Sequence, residues 1–214
     1  MSKLRTASLT AACCATSLAL FVGVTVAEQP AEQPAGGGEE AAVEAPPEPT
    51  PEQVARGGAA FIEVAKVLQH PRCMNCHPAG NRPLQGDQST PHALGISRDS
   101  VDAGLACSTC HQESNADTVG MSKGPPGAPH WGLPPEETPM VFQGLTPAQL
   151  CAQLKDPAKN GGKNLDQLLH HVSKDPLVLW GWNPGGDRTP VPIAHATFVE
   201  NFEAWVDAAG ACPE

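Results

Sequence analysis

The chain is 214 residues long and poor in the large side chains that usually fill a protein core, with 5 Phe, 4 Trp and no Tyr against 23 Pro and 21 Gly. Its 23 acidic and 13 basic residues give a formal net charge of −10 at pH 7, which argues against nucleic-acid binding because that function needs a basic surface. We therefore expect one loop-rich domain of ordinary size with a few helices.

The N-terminal segments are predicted to lie outside this domain. A short positive region precedes 18 uncharged, largely apolar residues (9–26), so residues 1–27 are predicted to be an export signal, or alternatively an uncleaved membrane anchor. Residues 28–49 contain an EQPAEQPA repeat, six Glu and no basic residue, which predicts a disordered acidic linker. The folded domain is then 50–214, and its expected location is periplasmic or otherwise exported.

Local sequence signals predict four helices in the domain. The segments TPEQ (50–53) and TPAQ (146–149) are capping boxes with Pro at the first helical position. A third helix is predicted after Asn164, where leucines and a valine recur at helical spacing. A last helix is predicted to begin at a capping box, Thr197–Glu200, and to stop at Gly210.

Two stretches of the domain, Cys73–His77 and Cys107–His111, read C-x-x-C-H, which is the attachment signature of a c-type haem. Residues three and four apart share one face of a helical turn, so two thiols can bond the vinyl groups of one porphyrin while the adjacent histidine reaches the iron. We therefore predict two covalently bound haem c groups. Their predicted thioether residues are Cys73, Cys76, Cys107 and Cys110, and the predicted proximal iron ligands are His77 and His111.

A zinc site is the main alternative for these motifs, because paired C-x-x-C segments also occur in zinc ribbons. Zinc would explain the four cysteines but not a histidine after each pair in a chain with only 8 His. Export favours haem, since bacterial haem attachment takes place outside the cytoplasm, and two porphyrins would supply the missing apolar mass. We thus predict a mainly α, loop-rich, dihaem cytochrome c-like domain whose few short helices wrap around two covalent haems.

The sixth iron ligand decides the chemistry, because a closed iron carries electrons whereas an open iron binds ligands or reacts with peroxide. His92 and His130 are the first candidates for this distal position, since both lie in Gly/Pro-rich loops beside the motifs. His171 is a weaker candidate. His195, Met121 and Met140 are less favoured. His70 lies too close to Cys73 to cross to the distal side and is predicted to be structural.

Two further cysteines in the domain, Cys151 and Cys212, lie outside the motifs. In an exported protein such a pair predicts a disulfide that ties the C-terminal tail to the second long helix, and the alternative is two free thiols. Closing this loop would contribute about 4 kcal/mol in the chain-entropy model.

Several phrases of the sequence resemble a known group of proteins. They are HPRCMNCHPAGNRPLQGD, CSTCHQ, PGAPHWGLPP, LCAQLKDPAKNGG and DPLVLWGWNPGG. Across roughly residues 70–212 they resemble small exported proteins often labelled as isoquinoline 1-oxidoreductase subunits. The resemblance implies a cytochrome that takes electrons from a molybdenum hydroxylase of N-heteroaromatic compounds. It assigns haem attachment to the same two motifs, and nothing in this chain could bind molybdopterin.

The expected function is that of a periplasmic dihaem c-type cytochrome, which passes single electrons from a dehydrogenase to the respiratory chain. The resemblance implies that this dehydrogenase is of molybdenum-hydroxylase type. The alternative is a dihaem peroxidase-like enzyme with one five-coordinate haem. We find no nucleophile–base arrangement, which favours an electron-transfer protein or subunit over an enzyme. The expected partners are redox proteins, and no nucleic-acid partner is expected. Contact with a membrane is expected only if the N-terminal segment is retained as an anchor.

Overall fold

The computed structural model describes residues 48–116 and 124–214, which belong to one compact unit, Ala45–Glu214. The predicted export signal, all but the last two residues of the predicted linker, and the distal candidate Met121 lie outside these ranges. Within the ranges, none of the helices combines the length and hydropathy that a transmembrane span needs.

The described residues form a mainly helical structure with long loops and one small hairpin, so the mainly α, loop-rich class is confirmed. The α-helices are α1 Pro51–Leu68, α2 Pro71–Met74, α3 Arg98–Asp102, α4 Pro147–Lys155, α5 Leu165–Lys174, α6 Pro176–Leu179 and α7 His195–Asp207. The 3₁₀ turns are Ala93–Gly95, Cys107–Thr109 and Trp180–Trp182. The strands are β1 Leu84–Gln85 and β2 Thr90–Pro91, antiparallel, with Leu84 opposite Pro91 and Gln85 opposite Thr90.

The starts of the first three long helices are confirmed. In α1 the Gln53 backbone N–H donates to Thr50 Oγ1 at 3.3 Å, and Gln53 Oε1 accepts from the Thr50 N–H at 2.7 Å. The same reciprocal bonds open α4 at Thr146 and α5 at Asn164. Each box satisfies backbone donors that the first helical turn would otherwise leave unpaired.

The predicted start of the last helix is wrong. Helix α7 begins at His195, two residues before the predicted box, and its N-cap, Ala194, makes no side-chain cap. Tertiary contacts fix this start, because His195 Nε2 lies 3.0 Å from the Val172 carbonyl oxygen and its ring packs edge-on against Trp182. The predicted stop is confirmed: Gly210 has φ +68 and donates its N–H to the Trp205 carbonyl oxygen.

The hydrophobic core lies between α1, α4, α5 and α7, which we call the helical core. Its largest fully buried side chains come from α1 and α7 and include Phe61, Phe198, Phe202 and Trp205. Helices α1 and α7 approach closely at Gly57, where an added Cβ would lie only 2.3 Å from the Cβ of Ala208. The disulfide between Cys151 of α4 and Cys212 is formed as predicted, with 5.5 Å between the Cα atoms.

Candidate functional site

The first C-x-x-C-H motif begins inside α2 and continues as a helical turn beyond it. His70 caps α2 through Nδ1, which accepts from the Arg72 backbone N–H at 3.3 Å, so its predicted structural role is confirmed. The chain then continues to turn, since the Cys76 N–H donates to the Cys73 carbonyl oxygen at 3.2 Å and the His77 N–H donates to that of Met74 at 3.0 Å. This turn has the local geometry that the spacing predicts.

The His77 ring is held at one nitrogen and on one face. Its Nδ1 lies 2.7 Å from the Met140 carbonyl oxygen, and the ring stacks on Phe142 with 3.9 Å between centroids and 16° between planes. Burial lowers the pKa of His77 to about 4, so the ring is neutral at physiological pH. A neutral ring that donates Nδ1–H to a carbonyl keeps its lone pair on Nε2, which is the form that binds a metal.

The second motif repeats this arrangement on a shorter element. The N–H groups of Cys110 and His111 both donate to the Cys107 carbonyl oxygen, at 3.2 and 2.9 Å. His111 Nδ1 lies 2.7 Å from the Pro126 carbonyl oxygen, and the ring stacks on Trp131 at 4.8 Å and 7°. Burial lowers the pKa of His111 as well, which favours the neutral ring.

A close loop crossing positions the Pro126 carbonyl. The Gly127 N–H donates to Asn115 Oδ1 at 3.0 Å, and a Cβ on Gly127 would lie 2.1 Å from the Ser114 carbonyl oxygen. Only glycine therefore fits at position 127, and the loop that holds His111 packs directly on the chain that follows the motif.

The two motifs meet at one cavity of about 550 Å³. Its wall includes Cys76 from the first motif and Cys107, Cys110 and His111 from the second. Burial, and after it the proximity of Cys107, raises the pKa of Cys76 to about 11. Burial and then the nearby Cys76 raise the pKa of Cys73 to about 12. The first-motif sulfurs are therefore neutral thiols in the protein without cofactor.

Of the two leading distal candidates, the structure brings only His92 against a proximal ring. His92 lines the same cavity as His111, and the two ring centroids are 6.0 Å apart. His130 is exposed and lines a separate cavity of about 540 Å³, which also contacts His111 and Trp131.

The other distal candidates have different surroundings. His171 Nδ1 lies 3.1 Å from a carboxylate oxygen of Asp175, and burial lowers the pKa of His171. Its charge also contributes to the lowered pKa of His77, so the two rings lie within electrostatic reach. His195 is engaged in the helical core through the Val172 carbonyl, and Met140 contacts His77 through its backbone oxygen.

Sequence reasoning missed Arg72. Its side chain is buried, it lines the shared cavity, and it pairs with Asp87 through one terminal nitrogen. Its guanidinium lies 5.7 Å from the Trp180 ring centroid, and its Nε is buried without a hydrogen-bond partner. A buried unpaired donor is costly, so this atom is available to an acceptor on a group bound in the cavity. The signal available in the sequence was only its position directly before Cys73.

The cavity wall also carries apolar side chains that the protein itself does not cover. Leu94 is 91% exposed and has a left-handed backbone, φ 59, and Leu105 is 45% exposed. Both line the cavity beside His92. An isolated exposed leucine is unremarkable, but two on the wall of one cavity fit a large apolar ligand.

Among the described residues, no three His, Cys, Asp or Glu side chains converge in an arrangement that would hold a metal ion. No protein-family model, curated protein or solved structure matches the chain.

Proposed function

We propose that this chain is an exported dihaem c-type cytochrome that carries single electrons between a dehydrogenase and the respiratory chain. The observation that supports the proposal is that both C-x-x-C-H motifs contribute cysteines to the wall of one cavity, which Cys73 and His77 do not line, and that each motif histidine is anchored at Nδ1. Haem c, when bound, supplies reversible one-electron chemistry at its iron. A donor of molybdenum-hydroxylase type is implied only by the resemblance of the sequence.

The anchored histidines support the assignment of His77 and His111 as proximal ligands. In both rings a backbone carbonyl accepts the Nδ1 hydrogen, at 2.7 Å in each case. Such an outer contact fixes the tautomer and the ring orientation of a metal-bound histidine and increases its basicity. Stacking on Phe142 and Trp131 restrains the orientation of both rings further.

The cavity residues fit a porphyrin in both polarity and position. Leu94 and Leu105 offer apolar surface, as a flat hydrophobic ring requires. The buried Nε of Arg72 offers a charged donor to a carboxylate, and a haem carries two propionates. The four motif cysteines would hold the two groups through thioethers.

The zinc alternative finds less support. A zinc ribbon gathers four Cys or His ligands around one ion. The described residues contain no such group of even three, whereas a haem iron needs only one or two protein ligands.

The proposal is tested by the cofactor content of protein matured in an exporting bacterial host. We expect two haems per chain that stay attached after denaturation, measured by mass and by absorption of the oxidised and reduced forms. The matched variants Cys73→Ser/Cys76→Ser and Cys107→Ser/Cys110→Ser should each retain one haem. A colourless wild-type protein that contains zinc would overturn the proposal.

Carbon monoxide distinguishes the carrier from the peroxidase-like enzyme. A carrier with two closed irons keeps a low-spin spectrum when carbon monoxide is added, whereas an open iron binds it. As a positive control, His111→Ala should keep its haem attached but gain a high-spin component and a changed potential. An unchanged spectrum in that variant would mean that His111 is not an axial ligand.

A further inference from the structure

The cavity between the motifs contains a second histidine that faces the proximal ring of the second motif. His92 and His111 both line it, with 6.0 Å between ring centroids and 65° between ring planes. Two imidazoles on opposite sides of one metal ion, at metal–nitrogen distances of about 2.0–2.1 Å, have ring centres roughly 6 Å apart. The observed separation therefore already suits one metal ion between the two rings.

Both rings carry their hydrogen on the same nitrogen. His92 Nδ1 lies 2.9 Å from the Ala93 carbonyl oxygen, and His111 Nδ1 lies 2.7 Å from that of Pro126. Each carbonyl can accept only from a ring that carries its hydrogen on Nδ1, so both Nε2 atoms keep a lone pair. The pair therefore has the tautomers that two-histidine ligation requires.

The backbone around His92 is held more firmly than a loop of this composition suggests. The His92 N–H donates to the Pro83 carbonyl oxygen at 2.9 Å, and the Arg82 guanidinium donates to the His92 carbonyl oxygen at 2.6 and 3.2 Å. Gln85 Oε1 accepts from the next backbone N–H, that of Ala93, at 2.9 Å. The β1–β2 hairpin thus positions His92 before any ligand binds.

We propose that His92 is the sixth ligand of the iron held by the second motif, which makes this haem six-coordinate with two histidines. The inference rests on the proposed function, because it requires a haem at Cys107–His111. It assigns the second haem to electron transfer rather than to ligand binding. The competing candidate His130 is exposed and lines the other cavity.

The test compares wild-type protein, His92→Ala and the control His130→Ala, each as the full exported chain. In His92→Ala we expect one of the two haems to become high-spin and to bind one equivalent of carbon monoxide. Added imidazole should restore the low-spin spectrum by replacing the lost ring. His130→Ala should match the wild type in both spectrum and carbon monoxide binding.

The outcomes separate the assignment from the proposed function. A wild-type chain without covalent haem overturns both. A dihaem His92→Ala protein that stays low-spin and inert to carbon monoxide overturns only the assignment. If His92→Ala does not accumulate, His92→Met replaces it in the test. Methionine ligation raises haem potentials, so a raised reduction potential in His92→Met supports ligation by residue 92. An unchanged reduction potential overturns the assignment. If neither variant accumulates, near-infrared magnetic circular dichroism of the wild type decides, and the lack of a two-histidine signature overturns the assignment.

Discussion

The two C-x-x-C-H motifs have the same pattern and opposite surroundings. The first begins inside α2, Cys73 packs against the helical core, and His77 stacks on the buried Phe142. The second sits on a three-residue 3₁₀ turn, where Cys110 is exposed and His111 stacks on the half-buried Trp131. The first motif is therefore shaped by packing that exists without a cofactor, and the second by loops alone.

The two motifs show that the same five-residue pattern can stand on structural supports of different kinds. Sites on helices that pack into a core are positioned with greater precision than sites on loops. We expect the first motif to depend on the stability of the helical core, and the second to gain much of its order from the group it binds.

The largest difference in stability loss is expected between substitutions of the two rings that stack on the motif histidines, Phe142 and Trp131. Phe142→Ala removes a buried core side chain, so the free energy of unfolding should fall by about 3–5 kcal/mol. Trp131→Ala removes a half-buried ring outside the helical core and should cost only about 1–2 kcal/mol, mostly the stacking contact and partial burial. Urea denaturation of both variants measures this. Equal losses would show that the two motifs have comparable support.

Removal of the disulfide should give the next largest loss of stability, and this loss should be confined to the helical core. Cys151→Ala/Cys212→Ala should lower the free energy of unfolding by about 4 kcal/mol, because the unfolded chain regains the entropy of an open loop. The haem content of the second motif should stay at its wild-type value, because that motif does not pack on the helical core. The control is wild-type protein with a thiol reductant, which cleaves a disulfide but not a thioether. Loss of the haem attached at Cys107 and Cys110 in the double variant would mean that the second motif also relies on the core.

The crossing of α1 and α7 offers a smaller, local test. Gly57→Ala would force a Cβ against Ala208, so we expect a loss of about 1–3 kcal/mol from overpacking. Gly58→Ala is the matched control, since its new Cβ would meet neighbours only at 3.5 Å or more and its helix propensity would improve. Adding Ala208→Gly to Gly57→Ala should recover stability. Thermal unfolding of the four proteins measures the set.

The smallest predicted effect concerns the charge in the shared cavity. Arg72→Gln removes a buried positive charge beside the proposed haems, which favours the oxidised iron. At least one reduction potential should fall by about 40–60 mV, or on the order of 1 kcal/mol. Redox titration measures it, with Arg56→Gln as the control because Arg56 is exposed on α1. Unchanged potentials would place the cofactors away from Arg72.

Features encoded by neighbouring residues were predictable from the sequence. The capping boxes at Thr50, Thr146 and Asn164 depend on contacts within one turn, and all three helices begin there. The disulfide was predictable by elimination, because only two cysteines of the predicted domain, residues 50–214, lie outside the motifs. The start of α7 was not, since contacts of His195 with distant residues override the local signal at Thr197.

Features that depend on which loops meet could not be predicted. His92 and His130 are equivalent in sequence, because both stand in Gly/Pro-rich loops near the second motif. Only the fold places His92 in the shared cavity and His130 in the other one. Arg72 was overlooked for the same reason: its burial depends on loops far along the chain, and nothing local distinguishes it from a surface arginine.

The disulfide also bears on how the protein is assembled. Addition of a cysteine to a porphyrin vinyl group needs a free thiol, so the proposed function would require the four motif cysteines to stay reduced while Cys151 and Cys212 are oxidised. The six cysteines of residues 50–214 allow 15 fully paired arrangements, and four allow 3. If Cys151 and Cys212 pair first, most wrong pairings are therefore removed before any haem arrives. Once the chain is folded, burial raises the pKa of Cys73 and of Cys76, which disfavours the thiolate that thiol exchange requires.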